Sequence, residues 1–199
     1  MPKNIACVCV FCGSSPGADP AFADAAESLG RELARRGIRL VYGGGRVGLM
    51  GVLAESALRS GGEVHGVITR ALRDKEVAHL GLTTLRIVAT MHERKAAMAD
   101  EAEAFVMLPG GFGTLDEFFE ALTWTQLGIH AKPCGILNVG GFFDPLLELF
   151  EAATRQRFIR AEHRDMVVVE ADPVSMIERL AAWVPVTAGK WLDSGELLP

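Results

Sequence analysis

The sequence predicts a single α/β domain built on a doubly wound, mostly parallel sheet of the Rossmann-like kind, with helices on both faces. Three observations predict it. Short apolar runs alternate with amphipathic stretches along nearly the whole chain, and glycine-bearing turns follow three of the runs, after Phe11, Tyr42 and Leu108. The length of 199 residues, 49% apolar and 23% charged, suits one globular core. Strands that alternate with helices pair in parallel, because right-handed crossovers place the helices on both faces. Ligands on such sheets bind beyond the carboxyl ends of the strands, near a switch in strand order. The three glycine turns should therefore gather at one edge.

Ile5–Phe11 reads as the first strand, followed by the loop Gly13-Ser14-Ser15-Pro16-Gly17. Asp19 and Pro20 supply an N-cap and a helix-starting proline. The helix runs to about Arg36 on the spacing of Phe22, Ala26, Leu29 and Leu33, and stops at Gly37. Ile38–Tyr42 is a strand, Gly48–Ser60 a helix ended by Gly61-Gly62, and Val64–Ile68 the third strand. Thr69–Thr83 has mixed charge and no clear period, and reads as a surface loop or lid. Leu85–Val88 is a short strand and His92–Glu101 a helix. The Ala104–Leu108 strand, the Thr114–Leu127 helix and the Cys134–Val139 strand follow. A helix over Asp144–Gln156, a strand over Met166–Val169 and a helix over Pro173–Trp183 complete a domain that spans residues 1–186. Residues 187–199 read as an irregular tail, and no internal repeat or linker is evident.

Charge and composition exclude several functions. The net charge is −5 with both signs mixed along the chain, whereas nucleic-acid binding needs a clustered basic surface. No apolar run approaches the ~20 residues of a membrane span. The first apolar run lacks a basic leader and a small-residue cleavage site, so a cytoplasmic location is expected. Cys9-Val10-Phe11-Cys12 has C-x-x-C spacing but lies on a strand, where its thiols face opposite ways; redox pairs want a helix N-terminus. Zinc would need two further ligands, and His65, His79, His92, His130 and His163 show no paired spacing. Buried structural thiols are the better reading, and neither a metal nor a cofactor is expected.

The stretch Leu108-Pro109-Gly110-Gly111-Phe112-Gly113-Thr114-Leu115-Asp116-Glu117 carries most of the chemistry. Glycines between a strand and a helix let backbone N–H groups approach an anion, and the helix N-terminus adds partial positive charge. Thr114 can add a hydroxyl donor. Glu117 sits one helical step from Gly113 on the side of the loop. Its bland explanation is dipole complementarity; beside a phosphate cradle it would instead face the reacting atom of the ligand. Gly43-Gly44-Gly45-Arg46-Val47-Gly48 also fits G-x-G-x-x-G, yet the acid expected about 20 residues on is Glu63, at the wrong end of its strand. A second backbone surface touching the ligand is the better reading than a dinucleotide site. Met91-His92-Glu93-Arg94-Lys95 places two cations in a first helical turn, against the macrodipole. Either they are a solvated charge run, or Arg94 and Lys95 reach across to the anion held at Gly110–Thr114. Phe118, Phe119 and Trp124 are mostly core by their spacing.

Together with Phe11-Cys12-Gly13-Ser14, Gly48-Leu49-Met50-Gly51 and Thr123–His130, these motifs resemble the Lonely Guy (LOG) family of cytokinin riboside 5′-monophosphate phosphoribohydrolases, whose hallmark is P-G-G-x-G-T-x-x-E. The similarity runs from about Ile5 to Trp183, with the motifs in the family's order and spacing. It implies hydrolysis of the N-glycosidic bond of an N6-modified adenosine 5′-monophosphate, or of AMP, by a homodimer or an assembly of dimers. It implies Arg94 and Glu117 as the catalytic pair. It further implies a nucleotide site made by Ser14, Gly43, Gly44, Gly45, Lys95, Gly110, Gly111, Phe112, Gly113, Thr114 and Asp116, with Glu76 reaching in from the irregular segment. Asp116 stands where Glu is commoner, Thr90 where Asp or Ser is usual, and His65 in place of an apolar residue. The rival from another class is a nucleotide-binding module without turnover, which has little use for a carboxylate beside phosphate.

Overall fold

The computed structural model describes residues 4–75 and 77–186. It contains β1 (Cys7–Phe11), α1 (Pro20–Arg35), β2 (Arg39–Tyr42), α2 (Gly48–Arg59), β3 (Val64–Thr69), α3 (Arg70–Arg73), β4 (Thr84–Val88) and α4 (Met91–Glu101). Then follow β5 (Ala104–Met107), α5 (Phe112–Gln126), β6 (Cys134–Leu137), a 3-10 turn at Val139–Gly141, α6 (Asp144–Arg155), α7 (Ala161–Arg164), β7 (Val167–Glu170) and α8 (Pro173–Ala182). The expected tail and Glu76 lie outside the described residues.

Among the described residues every ladder is parallel, and the sheet order is β4-β3-β2-β1-β5-β6-β7. The chain winds outward from β1 to the β4 edge and returns through α4 to β5 on the other side of β1. The order therefore reverses between β1 and β5, where such sheets hold ligands. Strand side chains alternate between two cores. Val8, Val10, Leu40, Tyr42, Val106 and Leu108 pack with α1, α2 and α8; Cys9, Val41, Val67, Phe105 and Met107 pack with α4, α5 and α6. Cys9 and Cys12 accordingly lie in different cores, and all four cysteines are buried free thiols. Burial pushes the Cys7 thiol up to about 11 and that of Cys134 to about 12, far from a reactive thiolate.

The local signals behave as the sequence suggests. Asp19 caps α1, its carboxylate accepting from Ala21 N–H at 2.9 Å, and Gly37 takes a left-handed φ of 65° after the helix. Two expectations need correcting. The Thr69–Thr83 segment is not simply irregular: Thr69 caps the single turn α3, and Ala78 forms a bridge with Gly45. The helix after the Pro109–Gly111 turn begins at Phe112 rather than Thr114, so Gly113 lies inside its first turn. Phe118 is fully buried, with Phe119 and Trp124 packed partly buried against the same core.

Candidate active site

The three glycine turns meet above β2, β1 and β5. Gly13 N–H donates to Pro109 O at 3.0 Å, and Met50 N–H to Gly13 O at 3.3 Å. A cavity of about 280 Å³ opens here, lined by Gly13, Ser14, Ser15, Leu49, Gly110 and Gly111 among others. Gly110 is glycine for packing, since a Cβ there would lie 2.2 Å from Thr114 Oγ1. Thr114 is itself buried beneath the turn. Gly111 and Gly113 differ. Neither has a left-handed φ, and a Cβ on either would meet nothing within 4 Å. Glycine inside a helix costs about 1 kcal/mol relative to alanine, and nothing in the protein itself requires one at 113. The gain is an open backbone at the N-terminus of α5, where an anion can reach the N–H groups. Phe112, between them, is 92% exposed.

Arg94 and Glu117 face each other across this turn, on helices α4 and α5. Arg94 Nη1 donates to Glu117 Oε1 at 2.5 Å, and the side chains are only 7% and 11% exposed. Arg94 Nε also donates to Val67 O at 2.9 Å, and Nη2 to Gly43 O at 3.3 Å. The guanidinium is thus held by the ends of β2 and β3 as well as by the carboxylate. Gly43 must be glycine for this, because a Cβ would stand 2.0 Å from Arg94 Nη2. Burial pushes the Glu117 carboxyl up; the Arg94 charge and hydrogen bond pull it back without cancelling the rise. Lys95 does not point free either: its ammonium lies 2.9 Å from Glu120 and 3.2 Å from Asp116. These carboxylates, Glu120 first, hold its pKa above the ordinary value. Each of the two cations is thus engaged by carboxylates, Arg94 by Glu117 and Lys95 by Glu120 and Asp116.

The two cations at the start of α4 oppose its dipole, and the structure shows the compensation. Thr90 Oγ1 accepts from Glu93 N–H at 3.1 Å while Glu93 Oε2 accepts from Ala89 N–H at 2.9 Å, a variant of the capping box.

Comparison with known proteins identifies the family. The family described as "Possible lysine decarboxylase" matches residues 50–180. A probable cytokinin riboside 5′-monophosphate phosphoribohydrolase of Oryza sativa subsp. japonica is 52% identical over 161 residues, 81% of this chain and 72% of that protein. The cytokinin riboside 5′-monophosphate phosphoribohydrolase of Rhodococcoides fascians is 51% identical over 172 residues, 86% of this chain and 85% of its own. The chain belongs to the LOG family. Among solved structures, a molybdenum cofactor binding protein from Rippkaea orientalis superposes with a TM-score of 0.68 at 21% identity, covering 92% of this chain and 98% of that one. At that identity the likeness shows that the LOG chain shares the fold.

For a LOG member, the site residues read from sequence fall together in space. The turns bearing Gly43–Gly45 and Gly110–Gly113 and the side chains of Arg94, Lys95, Asp116 and Glu117 all border the same end of the sheet; Glu76 lies outside the described residues. Sequence reasoning missed Glu120, which pairs with Lys95 and stands one helical turn beyond Asp116, a spacing that was available to find it. It also missed the carbonyls of Val67 and Gly43, for which no side-chain signal exists. Glu63, weighed as a ribose-binding acid, precedes β3 and pairs with Arg39 at 3.1 Å, away from the site.

The open glycines of this LOG chain carry a prediction. Gly113→Ala is expected to raise stability by about 0.5–1 kcal/mol in urea unfolding. If this turn holds the anion of a nucleotide, the same change should raise KM for it about tenfold, because the new methyl would stand between the anion and the backbone N–H groups. An unchanged KM would remove the anion cradle from this turn.

Proposed function

We propose that this protein is a phosphoribohydrolase that releases the free base and ribose 5-phosphate from adenosine 5′-monophosphates, N6-modified or plain. The single observation that carries this reading is the buried Arg94–Glu117 pair beside a glycine cradle whose open positions serve no packing need. The family relatives named for this activity support it.

In this reading the 5′-phosphate is held by the N–H groups of Gly111–Thr114, with the Lys95 ammonium close by. That anchor fixes the ribose so that its anomeric carbon faces Glu117. Water attacks that carbon as the bond to the base breaks. The bond's electron pair leaves on the base nitrogen and the Glu117 carboxylate takes the proton that water gives up; the departing base nitrogen then takes a proton from solvent and Glu117 returns its own, so that the neutral base is released. Positive charge develops on the sugar in this transition state, as in glycoside hydrolysis. The Glu117 carboxylate, fixed beforehand, stabilises it without reorganisation. Arg94 keeps Glu117 ionised in its buried position and holds it in place through the β2 and β3 carbonyls.

The reading extends to one nucleotide-binding unit over residues 1–186, acting in the cytoplasm as a homodimer or an assembly of dimers. No helix among the described residues is long and apolar enough to cross a membrane. The test is chromatographic, with AMP, isopentenyladenosine 5′-monophosphate and adenosine as substrates. Base is expected from the monophosphates, and at least ~100-fold more slowly from adenosine, because the phosphate anchor is spent on orienting the bond. Nucleotide binding without any base release would leave a binding module instead.

A further inference from the structure

A set of contacts that this chemistry does not use ties residues 77–81 to the Gly43–Gly45 turn. Gly45 and Ala78 form an antiparallel bridge. Arg46 N–H donates to Val77 O at 2.8 Å, and His79 N–H to Gly44 O at 2.9 Å. The His79 side chain is 9% exposed and joins two further places. Its Nε2 lies 2.9 Å from Glu55 Oε1 on α2, and its Nδ1 accepts from Gly81 N–H at 3.2 Å. A ring nitrogen that accepts a backbone N–H carries no proton, so Nε2 is the ring's donor and points its N–H at Glu55. One side chain thereby links α2, the segment before β4 and, through its own backbone, the glycine turn.

That turn is the second backbone surface the sequence reading gives the nucleotide, and its Gly43 carbonyl makes only the longest of the three Arg94 bonds, at 3.3 Å. A cavity of about 660 Å³ runs along the segment, lined by Arg46, Glu55, Arg73, His79, Leu80 and Gly81 among others. Open space lies beside this five-residue span; Ala78 and His79 are buried, while Leu80 is 85% exposed. Hydrogen bonds of the buried ring and of the adjoining backbone hold it. The two arginines of the cavity do not make it an anion site: Arg73 is bound to Asp74 at 2.6 Å, and Arg46 has interactions of its own.

We propose that His79 is a positioning residue for the nucleotide: its ring pins residues 77–81 to α2 and so fixes the Gly43–Gly45 turn against the bound substrate. This rests on the phosphoribohydrolase reading. Loss of the ring frees the turn while Arg94 keeps its bonds to Val67 and Glu117, so binding suffers more than chemistry.

The experiment is steady-state base release from AMP by wild type, His79→Ala, His79→Gln and Glu55→Ala. His79→Ala is expected to raise KM about tenfold, with kcat within about threefold, the size of effect of one or two lost hydrogen bonds. His79→Gln keeps an amide donor for Glu55 and should restore KM to within about threefold of wild type. Glu55→Ala removes the ring's partner without disturbing the buried ring, and carries the test if His79→Ala does not fold; it should raise KM by about threefold or more. A KM unchanged in the folded variants, or a fall in kcat at constant KM, overturns the proposal. If wild type releases no base at all, the phosphoribohydrolase reading fails, and amide exchange then decides the pinning itself. Faster exchange at Arg46 and at position 79 in His79→Ala upholds it, and unchanged protection overturns it.

Discussion

Glu117→Gln is expected to slow base release by about a thousandfold or more while nucleotide still binds, since losing a fixed charge or a general base costs rates of that order. The substitution is close to isosteric, and a Gln Oε1 can still accept from Arg94 Nη1, so geometry survives while the charge is lost. The comparison to make is single-turnover base formation against equilibrium binding of AMP. Retained turnover would take Glu117 out of the chemistry. The pH dependence follows from the same burial. The Glu117 carboxyl is pushed above the usual carboxylate range, and the ionised form is the working one. Activity should therefore hold a plateau at higher pH and fall on the acid side, through a pKa above that of an exposed glutamate. A plateau that persisted down to the exposed value would contradict this.

Arg94→Ala should lose activity about 10²-fold or more and also destabilise the fold by about 3–5 kcal/mol, the cost of leaving one member of a buried ion pair without its partner. Both side chains are nearly sealed from solvent, which separates this pair from the surface bridges whose removal costs almost nothing. The stability loss should shrink when Glu117→Gln is added, because the double variant no longer buries an uncompensated carboxylate. Residual activity in Arg94→Ala should have its acid limb displaced to higher pH, since the charge that pulls the Glu117 pKa down has gone. Urea unfolding of the two single variants and the double, with the pH profile of Arg94→Ala, measures both. Additive stability losses or an unmoved limb would show that Arg94 does not act through Glu117.

Much of this architecture was legible in the chain, and the physical reasons are specific. The central strands β1, β5 and β6 are short apolar runs buried along their whole length, and Asp19-Pro20, Gly37 and Gly61-Gly62 start or stop the neighbouring elements by their own geometry. What escaped were α3 and α7, four residues each, too short to show a period. The start of α5 escaped because two glycines argue against a helix unless a ligand is the reason for them. His65, without a role in the sequence reading, turns its Nδ1 to Glu101 at 3.1 Å and ties β3 to the end of α4. At the site, side-chain identities were readable and their engagements were not. Arg94 is bound by Val67, Gly43 and Glu117, which lie 27, 51 and 23 residues away along the chain, and only folding brings them together.

That separation has a consequence for how such an activity can arise or be moved. On the proposed reading the anion cradle is modular: one strand, one turn and the first turn of one helix carry it, and any chain that borrowed residues 104–117 would borrow most of it. Bond cleavage on that reading is not modular, because Arg94 is clamped by Val67 and Gly43 of two other strands and their turns. A minimal ancestor or a transplanted fragment would inherit affinity before reactivity. On that reading, capture of a phosphate is a local trait and catalysis a collective one.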